Sequence, residues 1–384
     1  RIWDYTTQFT NFLAPFPNIH ALQPNIRFFR DNHAKWIFEQ HSHHPSELFE
    51  LRSYLTAKLL WNPDLNADEI ISDFVNGYYE EAGVFVKKYI DLIHRELQKD
   101  PTFFLFLYGD PSQAFNSYLN PELLKQYNTF FNDAEKAVEN KPEVLQRVKT
   151  ARLSTDYAML EMARNGISPD FQLLKNNKVS GNVSLIIERF KESCKKANIT
   201  LMNEMGYTVE EYLAQFENTL QRAALPNLAI NKKVTLNTKP KKYAGENPQA
   251  LTDGAFGGSN FYANWLGFEG NNLEAVIDLE QEMEIETIST AFLQVTNHIV
   301  FFPENVTYFF STDSNSFSKI ETVTNANPLS IESKRNDIAY FTSNFKPVKA
   351  RYIKVVAKNR STAPDWHNAA GLPAWIFADE VIIH

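Results

Sequence analysis

The chain has 384 residues, 43% of them hydrophobic, 22% charged and 14% aromatic, with Phe alone supplying 30. Its formal charge of −8 at pH 7 and pI near 5.7 exclude nucleic acid or an acidic membrane surface as the main partner, because both demand clustered Lys and Arg. The single cysteine, Cys194, excludes an intrachain disulfide and a thiolate metal cluster, and no run approaches the ~18 consecutive apolar residues of a transmembrane segment.

The length suits two or three domains with ordinary cores. The opening residues lack an initiating Met and a signal peptide, so the sequence reads as part of a longer protein. Two short apolar runs come first. Ile2-Trp3 leads into Asp4 and Tyr5, and Trp36-Ile37-Phe38 leads into Glu39, Gln40 and His41, with a short helix read over 25–32 between them. Strand, helix, strand is the grammar of an α/β barrel, in which side chains just past the strand ends face the site. A helix follows over 46–61, with Leu48, Leu51, Leu55 and Leu59 at helical spacing, Ser46 as its cap and Pro63 as its stop. The next helix is capped by Asn66 with Glu69 and buries Val86, Ile90, Ile93 and Leu97. Periodic segments at about 121–138, 142–165, 183–197 and 209–223 extend this into a helical array, with a second capping box at Thr208 and Glu211.

Near residue 228 the pattern changes. A proline-interrupted linker holds the only basic run, Lys239 to Lys242, and strand signals follow at 274–279, 285–295, 305–311, 351–358 and 380–383. The stretch from Leu251 to Leu279 opens with Phe256, Phe261, Tyr262, Trp265 and Phe268 among glycines and then alternates strictly, as an aromatic loop feeding a half-buried strand does.

The order TDG, a Trp-containing loop, EAVIDLEQEMEIETIS, NVTYFFSTDSNSFSKI, ARYIKVVAKN and AWIFADEVII resembles the coagulation-factor C-type, or discoidin, domain found behind bacterial glycosidases. The resemblance covers about 230–384 and implies a jelly-roll sandwich of eight strands, one structural calcium ion and carbohydrate binding. It assigns the calcium to Asp253, Ser259 and Glu380 with carbonyls such as those of Ala250 and Ala378. The loop Gly254–Asn260 departs from the commoner Asp-Gly-Asn-x-x-Thr pattern. Earlier in the chain, DYTTQFTNFLAPFPNIHALQPNIRFFRDN, FEQ and ELRSYLTAKLLWNPDLNADEIISDFVNGYY resemble an uncharacterised family of gut-bacterial glycan-utilisation proteins, itself similar to α-glucuronidases and hexosaminidases. That resemblance implies that residues 1–60 are the seventh and eighth units of a barrel whose catalytic carboxylates lie outside this chain.

The fold expected is therefore multidomain α+β. The end of a (β/α)8 barrel occupies 1–62, an α-helical domain 63–228, and an all-β, discoidin-like jelly-roll sandwich 229–384. Asp4, Tyr5 and Glu39 are the substrate-contact candidates, assigned to hydroxyl hydrogen bonding and not to proton transfer. The competing reading has the acids capping strands or pairing with Arg27, Arg30 or Arg52. His41, His43 and His44 lie in a loop without metal-ligand spacing, so no catalytic metal is expected. Sugar-binding candidates are Trp265, His298, Phe302, His367 and Trp375, with Trp366 beside them, because a pyranose offers an apolar face and a polar rim. The function expected is that of the C-terminal portion of a glycoside-hydrolase-like protein acting on a polysaccharide or glycan in the periplasm, at the cell surface or in secretion. The alternatives are a non-catalytic carbohydrate-binding or adhesion protein, and a purely structural sandwich.

Overall fold

The computed structural model describes residues 1–176, 178–241 and 246–384; Lys242, the end of the basic run, lies outside them. The chain divides into two compact units. One comprises Arg1–Ala163, Ser168–Phe171 and Gly181–Leu213, the other Arg164–Ile167, Gln172–Ser180 and Ala214–His384.

The first unit opens with β1 (Ile2–Tyr5), α1 (Ile19–Asp31), β2 (Ile37–Gln40) and α2 (Phe49–Trp61). β1 and β2 pair in parallel, from Ile2 opposite Ile37 to Tyr5 opposite Gln40. A parallel pair needs a crossover, and α1 supplies it. This helix is longer than the segment read over 25–32: it starts at Ile19, carries Pro24 inside, and buries Ile19, Leu22 and Ile26. That apolar stripe outweighs the single backbone hydrogen bond proline cannot donate. β1 and β2 form a sheet of two strands by themselves, with Trp3, Trp36 and Phe38 exposed. α2 begins later than its leucine spacing suggests. Leu48, buried and left-handed at φ 47°, ends the preceding turn, and the Ser46 hydroxyl accepts from Ser42 instead of capping the helix.

Asn66 caps α3 (Ala67–Tyr79) by accepting from the N–H groups of Asp68 and Glu69. The helix expected to run on to Leu97 breaks in two. Glu80 has φ 50°, a 3₁₀ turn spans Glu80–Ala82, and α4 (Gly83–Gln98) starts afresh. The break packs the two helices so closely that a Cβ on Gly83 would lie 2.4 Å from the Val75 carbonyl oxygen. α5 (Pro121–Ala137), capped by Asn120, and α6 (Pro142–Arg164) follow, then a short hairpin of β3 (Leu174–Lys175) and β4 (Lys178–Val179), α7 (Gly181–Lys196) and α8 (Val209–Ala223). The Thr208–Glu211 capping box forms as read, with Glu211 N–H donating to Thr208 Oγ1 at 3.1 Å and Thr208 N–H donating to Glu211 Oε2 at 2.9 Å.

In the second unit, seven strands make an antiparallel sheet consistent with a discoidin jelly roll. They are β5 (Lys233–Leu236), β6 (Leu266–Glu269), β7 (Leu273–Val295), β8 (Asn305–Ser311), β9 (Ser318–Thr324), β10 (Asn336–Lys358) and β11 (Trp375–Ile383). Segments that the pattern separates at 274–279 and 285–295 are one 23-residue strand, and 351–358 is only the latter half of another. The first half of β7 pairs with β5 and the end of β10; its second half pairs with β11 and the start of β10. Register shifts between Asn344 and Val348 and between Ala350 and Tyr352 let these long strands bend through the fold. Leu273, Ala275, Ile277 and Leu279 are all fully buried, so the strict alternation does mark the core face.

Candidate functional site

Pairing fixes where the loops of the sandwich meet. The end of β7, the start of β10 and the start of β11 lie side by side, Asn336 opposite Val295 and Phe377 opposite Leu293. The connections at 296–304, 325–335 and 359–374 therefore gather at one end, where the loop before β6 joins them. Cross-bonds hold the set: Thr296 N–H donates to Arg335 O at 2.8 Å, Trp375 N–H to Ile299 O at 2.9 Å, and Asn336 Nδ2 to Ser259 O.

The expected sugar-binding residues divide at this end. Trp265 is fully buried and its Nε1 donates to Gly258 O at 3.0 Å. A Cβ on Gly257 would lie 2.1 Å from its indole, so this glycine lets the loop close around the ring. Trp265 is the loop's internal anchor and presents no face to a ligand. Phe302 is buried in the sandwich core and is likewise removed from the surface. His367 has both nitrogens engaged. Ala369 N–H donates to Nδ1 at 3.0 Å, which leaves the ring proton on Nε2 to donate to Thr296 O at 2.7 Å, so it braces the loops. His298 is exposed, edge-on to Phe261 at 5.4 Å. Trp375 is half-buried, one face stacked on Phe377 at 5.4 Å. Trp366, 40% exposed, stands beside His367. The rings accessible at this end are thus His298, Trp366 and Trp375.

Of the expected calcium residues, Ser259 belongs to the loop just described through its carbonyl, and Glu380 lies in a buried acid pair of β11. Glu380 is fully buried; it accepts from Gly254 N–H at 3.0 Å and from Asn227 Nδ2 at 3.1 Å, and burial pushes its carboxyl up to about 8. Neighbouring Asp379, also buried, is pushed up to about 6 by burial, against the opposing pull of Arg222. Arg222 Nη1 lies 3.3 Å from Asp379, and Nη2 donates to Glu380 O at 2.9 Å. Asp253 accepts from Ala255 N–H at 2.9 Å, and its charge is felt at Glu380. Ser259 is half-buried, and its carbonyl accepts from Asn336 Nδ2. Among the described residues no group of three or more His, Cys, Asp or Glu could hold a metal. The carboxyl oxygens of Asp379 and Glu380 are engaged by Arg222, Gly257 N–H, Gly254 N–H and Asn227, while Asp253 is exposed and close enough for its charge to act on both. Arg222 was not legible as part of this site: it sits 158 residues from Glu380, in a helix that ends before the sandwich signals begin.

In the first unit, Asp4 and Glu39 stand directly opposite each other across the parallel pair, as do Tyr5 and Gln40. Both Glu39 carboxyl oxygens are buried without a hydrogen-bond partner, and the carboxyl is pushed up to about 7 by burial first and by the charge of Asp4 second. The arginines considered as their partners are used otherwise: Arg27 and Arg30 pair with Asp64, and Arg52 with Glu47. The histidines of the following loop turn to separate partners. His41 Nδ1 accepts from Ser42 N–H at 2.7 Å, and burial holds the ring down to about 4; His43 packs edge-on to Phe12; His44 Nε2 accepts from Thr200 N–H at 2.8 Å.

Comparison with known proteins matches residues 1–91 to a domain of unknown function (DUF4838) and residues 233–373 to the F5/8 type C domain. No curated protein matches the chain. Among solved structures, chitosan-binding module 1 from a chitosanase/glucanase of Paenibacillus sp. IK-5 is 17% identical, with 42% of this chain and 99% of that chain covered at a TM-score of 0.28. A Clostridium perfringens module, CpGH89CBM32-5, in complex with GalNAc-β-1,3-galactose, is 19% identical, with 40% and 94% covered at 0.27. A Streptococcus pneumoniae fucose binding module is 17% identical, with 42% and 98% covered at 0.27. No helix of the described residues is long and apolar enough to cross a membrane. The chain thus matches a domain of unknown function over 1–91 and the F5/8 type C domain over 233–373.

Proposed function

We propose that this chain is the glycan-handling C-terminal portion of a glycoside-hydrolase-like protein, and that its sandwich binds carbohydrate at the end where His298, Trp366 and Trp375 are accessible. The observation that carries the reading is this combination: aromatic faces for the apolar side of a pyranose, and an exposed imidazole for its hydroxyl rim. The resemblance to carbohydrate-binding discoidin domains agrees with it. The test is isothermal titration of the full chain with galactose, N-acetylgalactosamine and fucose, beside Trp366→Ala and His298→Ala. Loss of binding in both variants supports the reading; saturable binding that neither variant weakens moves the site elsewhere.

A second reading concerns the first unit. A parallel pair is ordinarily covered on both faces, whereas β1 and β2 expose Trp3, Trp36 and Phe38. We infer that further β/α units complete a barrel around them, with Asp4, Tyr5 and Glu39 contacting a sugar substrate in its mouth. Glu39 favours this, since an unpartnered, near-neutral carboxyl at a strand end is unusual unless a ligand engages it. We also propose that Asp253 and Glu380, with backbone carbonyls of the 250–259 loop, hold a structural calcium ion. A glycan ligand fits a periplasmic, cell-surface or secreted setting.

A further inference from the structure

Two of the three accessible rings take their places from the loop at 254–262. Phe261 packs against His298 at 5.4 Å and against Phe377 at 5.7 Å, and Phe377 stacks on Trp375 at 5.4 Å. The loop itself is held from β11. Gly254 N–H donates to Glu380 Oε2 at 3.0 Å, and Gly257 N–H to Asp379 Oδ2 at 3.0 Å. The register passes from Ala378 opposite Phe292 to Val381 opposite Thr290, so Asp379 and Glu380 form a bulge that offers two consecutive carboxyls to the loop. Buried side by side, they need a counter-charge. Arg222 of α8 provides it: Nη1 lies 3.3 Å from Asp379 Oδ1, and Nη2 donates to Glu380 O at 2.9 Å. The guanidinium also lies 5.3 Å from the centre of the Phe256 ring in the loop and 4.8 Å from that of Tyr340 in β10. One side chain, 10% exposed, therefore ties helix, loop and two strands together.

We infer that Arg222 is a positioning residue of the sugar-binding end: by fixing the loop at 254–262 it sets, through Phe261 and Phe377, how His298 and Trp375 meet a pyranose. An arginine suits the task because its planar fork bonds a carboxylate and a carbonyl at once while its face covers a ring; a lysine offers the charge alone. The third accessible ring is held differently. Trp366 stands 5.9 Å from His367, whose Nε2 donates to Thr296 O. Arg222 precedes residues 233–373, which match the F5/8 type C domain, and lies with them in the stretch Ala214–His384 of the second unit. The binding surface thus draws on a helix outside the family's span. The inference rests on the sugar-binding reading of this end and adds the residue that shapes it.

The experiment compares the full chain with Arg222→Lys, which keeps the charge beside Asp379 and loses the fork and the stacked face. Fluorotryptophan is incorporated, and the fluorine NMR signals of the 6 Trp are assigned by single Trp→Phe changes. The Trp265 and Trp375 signals are expected to shift while that of Trp366 stays in place; a role confined to stability lowers the melting temperature and leaves the folded-state signals where they are. Calorimetric titration with galactose, N-acetylgalactosamine and fucose is expected to show about fivefold weaker binding of the sugar that the native sequence takes. Phe256→Leu removes the ring under the guanidinium, leaves the ion pair, and is expected to move the same two signals, so the outcome does not hang on one variant folding. Trp265 and Trp375 signals unmoved in both variants overturn the inference, as does unweakened binding beside shifted signals. Failure of the underlying reading is distinct: the native sequence then binds none of these sugars, or binds one indifferently to His298→Ala and Trp366→Ala, and the positioning role falls with it.

Discussion

Replacing Glu39 by glutamine should make the protein more stable at alkaline pH and flatten its pH dependence. The carboxyl sits opposite Asp4 with both oxygens buried and unpartnered, and it titrates near 7 instead of an ordinary 4.5. Between those values the folded state holds a proton that the unfolded state has released. The carboxyl therefore imposes no penalty below pH 4.5, and stability is lost as pH rises through 7. A displacement of that size corresponds to about 3 kcal/mol at about 1.4 kcal/mol per pH unit; the side chain is partly open to solvent, so screening reduces the expected effect to about 1–2 kcal/mol. Urea denaturation at pH 4, 6 and 8 measures it: Glu39→Gln should match the native sequence at pH 4, pull ahead at pH 6 and exceed it most at pH 8. A carbon-13 titration of the Glu39 carboxyl gives the same quantity directly, and Asp4→Asn should move that titration downward by a smaller amount than burial has moved it up. Parallel stability curves for the two proteins across this range, or a Glu39 that titrates near 4.5, would refute the reasoning.

Gly83→Ala drives a methyl group to 2.4 Å from the Val75 carbonyl oxygen, so it should cost about 1–3 kcal/mol in thermal or urea melts, although alanine is the better helix former. Gly257→Ala meets the Trp265 indole at 2.1 Å, and the expected result is a comparable loss together with a red-shifted tryptophan emission as that ring leaves its buried seat. For the calcium proposal, millimolar calcium should raise the melting temperature of the chelator-treated protein, and Glu380→Gln should abolish the rise; equal melting temperatures with calcium and with chelator count against the site.

Local chemistry was the readable part of the fold. Asn66 and Thr208 announce their helices because a cap is a contact between near neighbours. The alternation from Leu273 to Leu279 marks a buried sheet face because side chains of a strand must alternate. What stayed hidden depends on distant partners. The helical period carries across residues 67–98 without registering the break that close packing at Gly83 and the turn at Glu80 impose. Aromatic residues in a glycine-rich loop suggest a platform, yet Gly257 lies there to make room for a buried Trp265. His367 looked available because nothing in sequence couples it to Thr296, 71 residues away. Arg222 and Asp379 are separated further still, by 157 residues, and an ion pair across such a distance leaves no periodic trace.

The two 23-residue strands of the sandwich bear on how it comes apart. Since β7 and β10 pair with each other along both of their halves and reach β5, β8 and β11 between them, neither half of the sheet can open while leaving the other intact. The amide hydrogens of Ala275 and Phe292, at opposite ends of β7, should therefore exchange through a common opening event under native conditions. A loop surface mounted on such a frame is held by strands that yield all together, so its geometry persists until the domain unfolds.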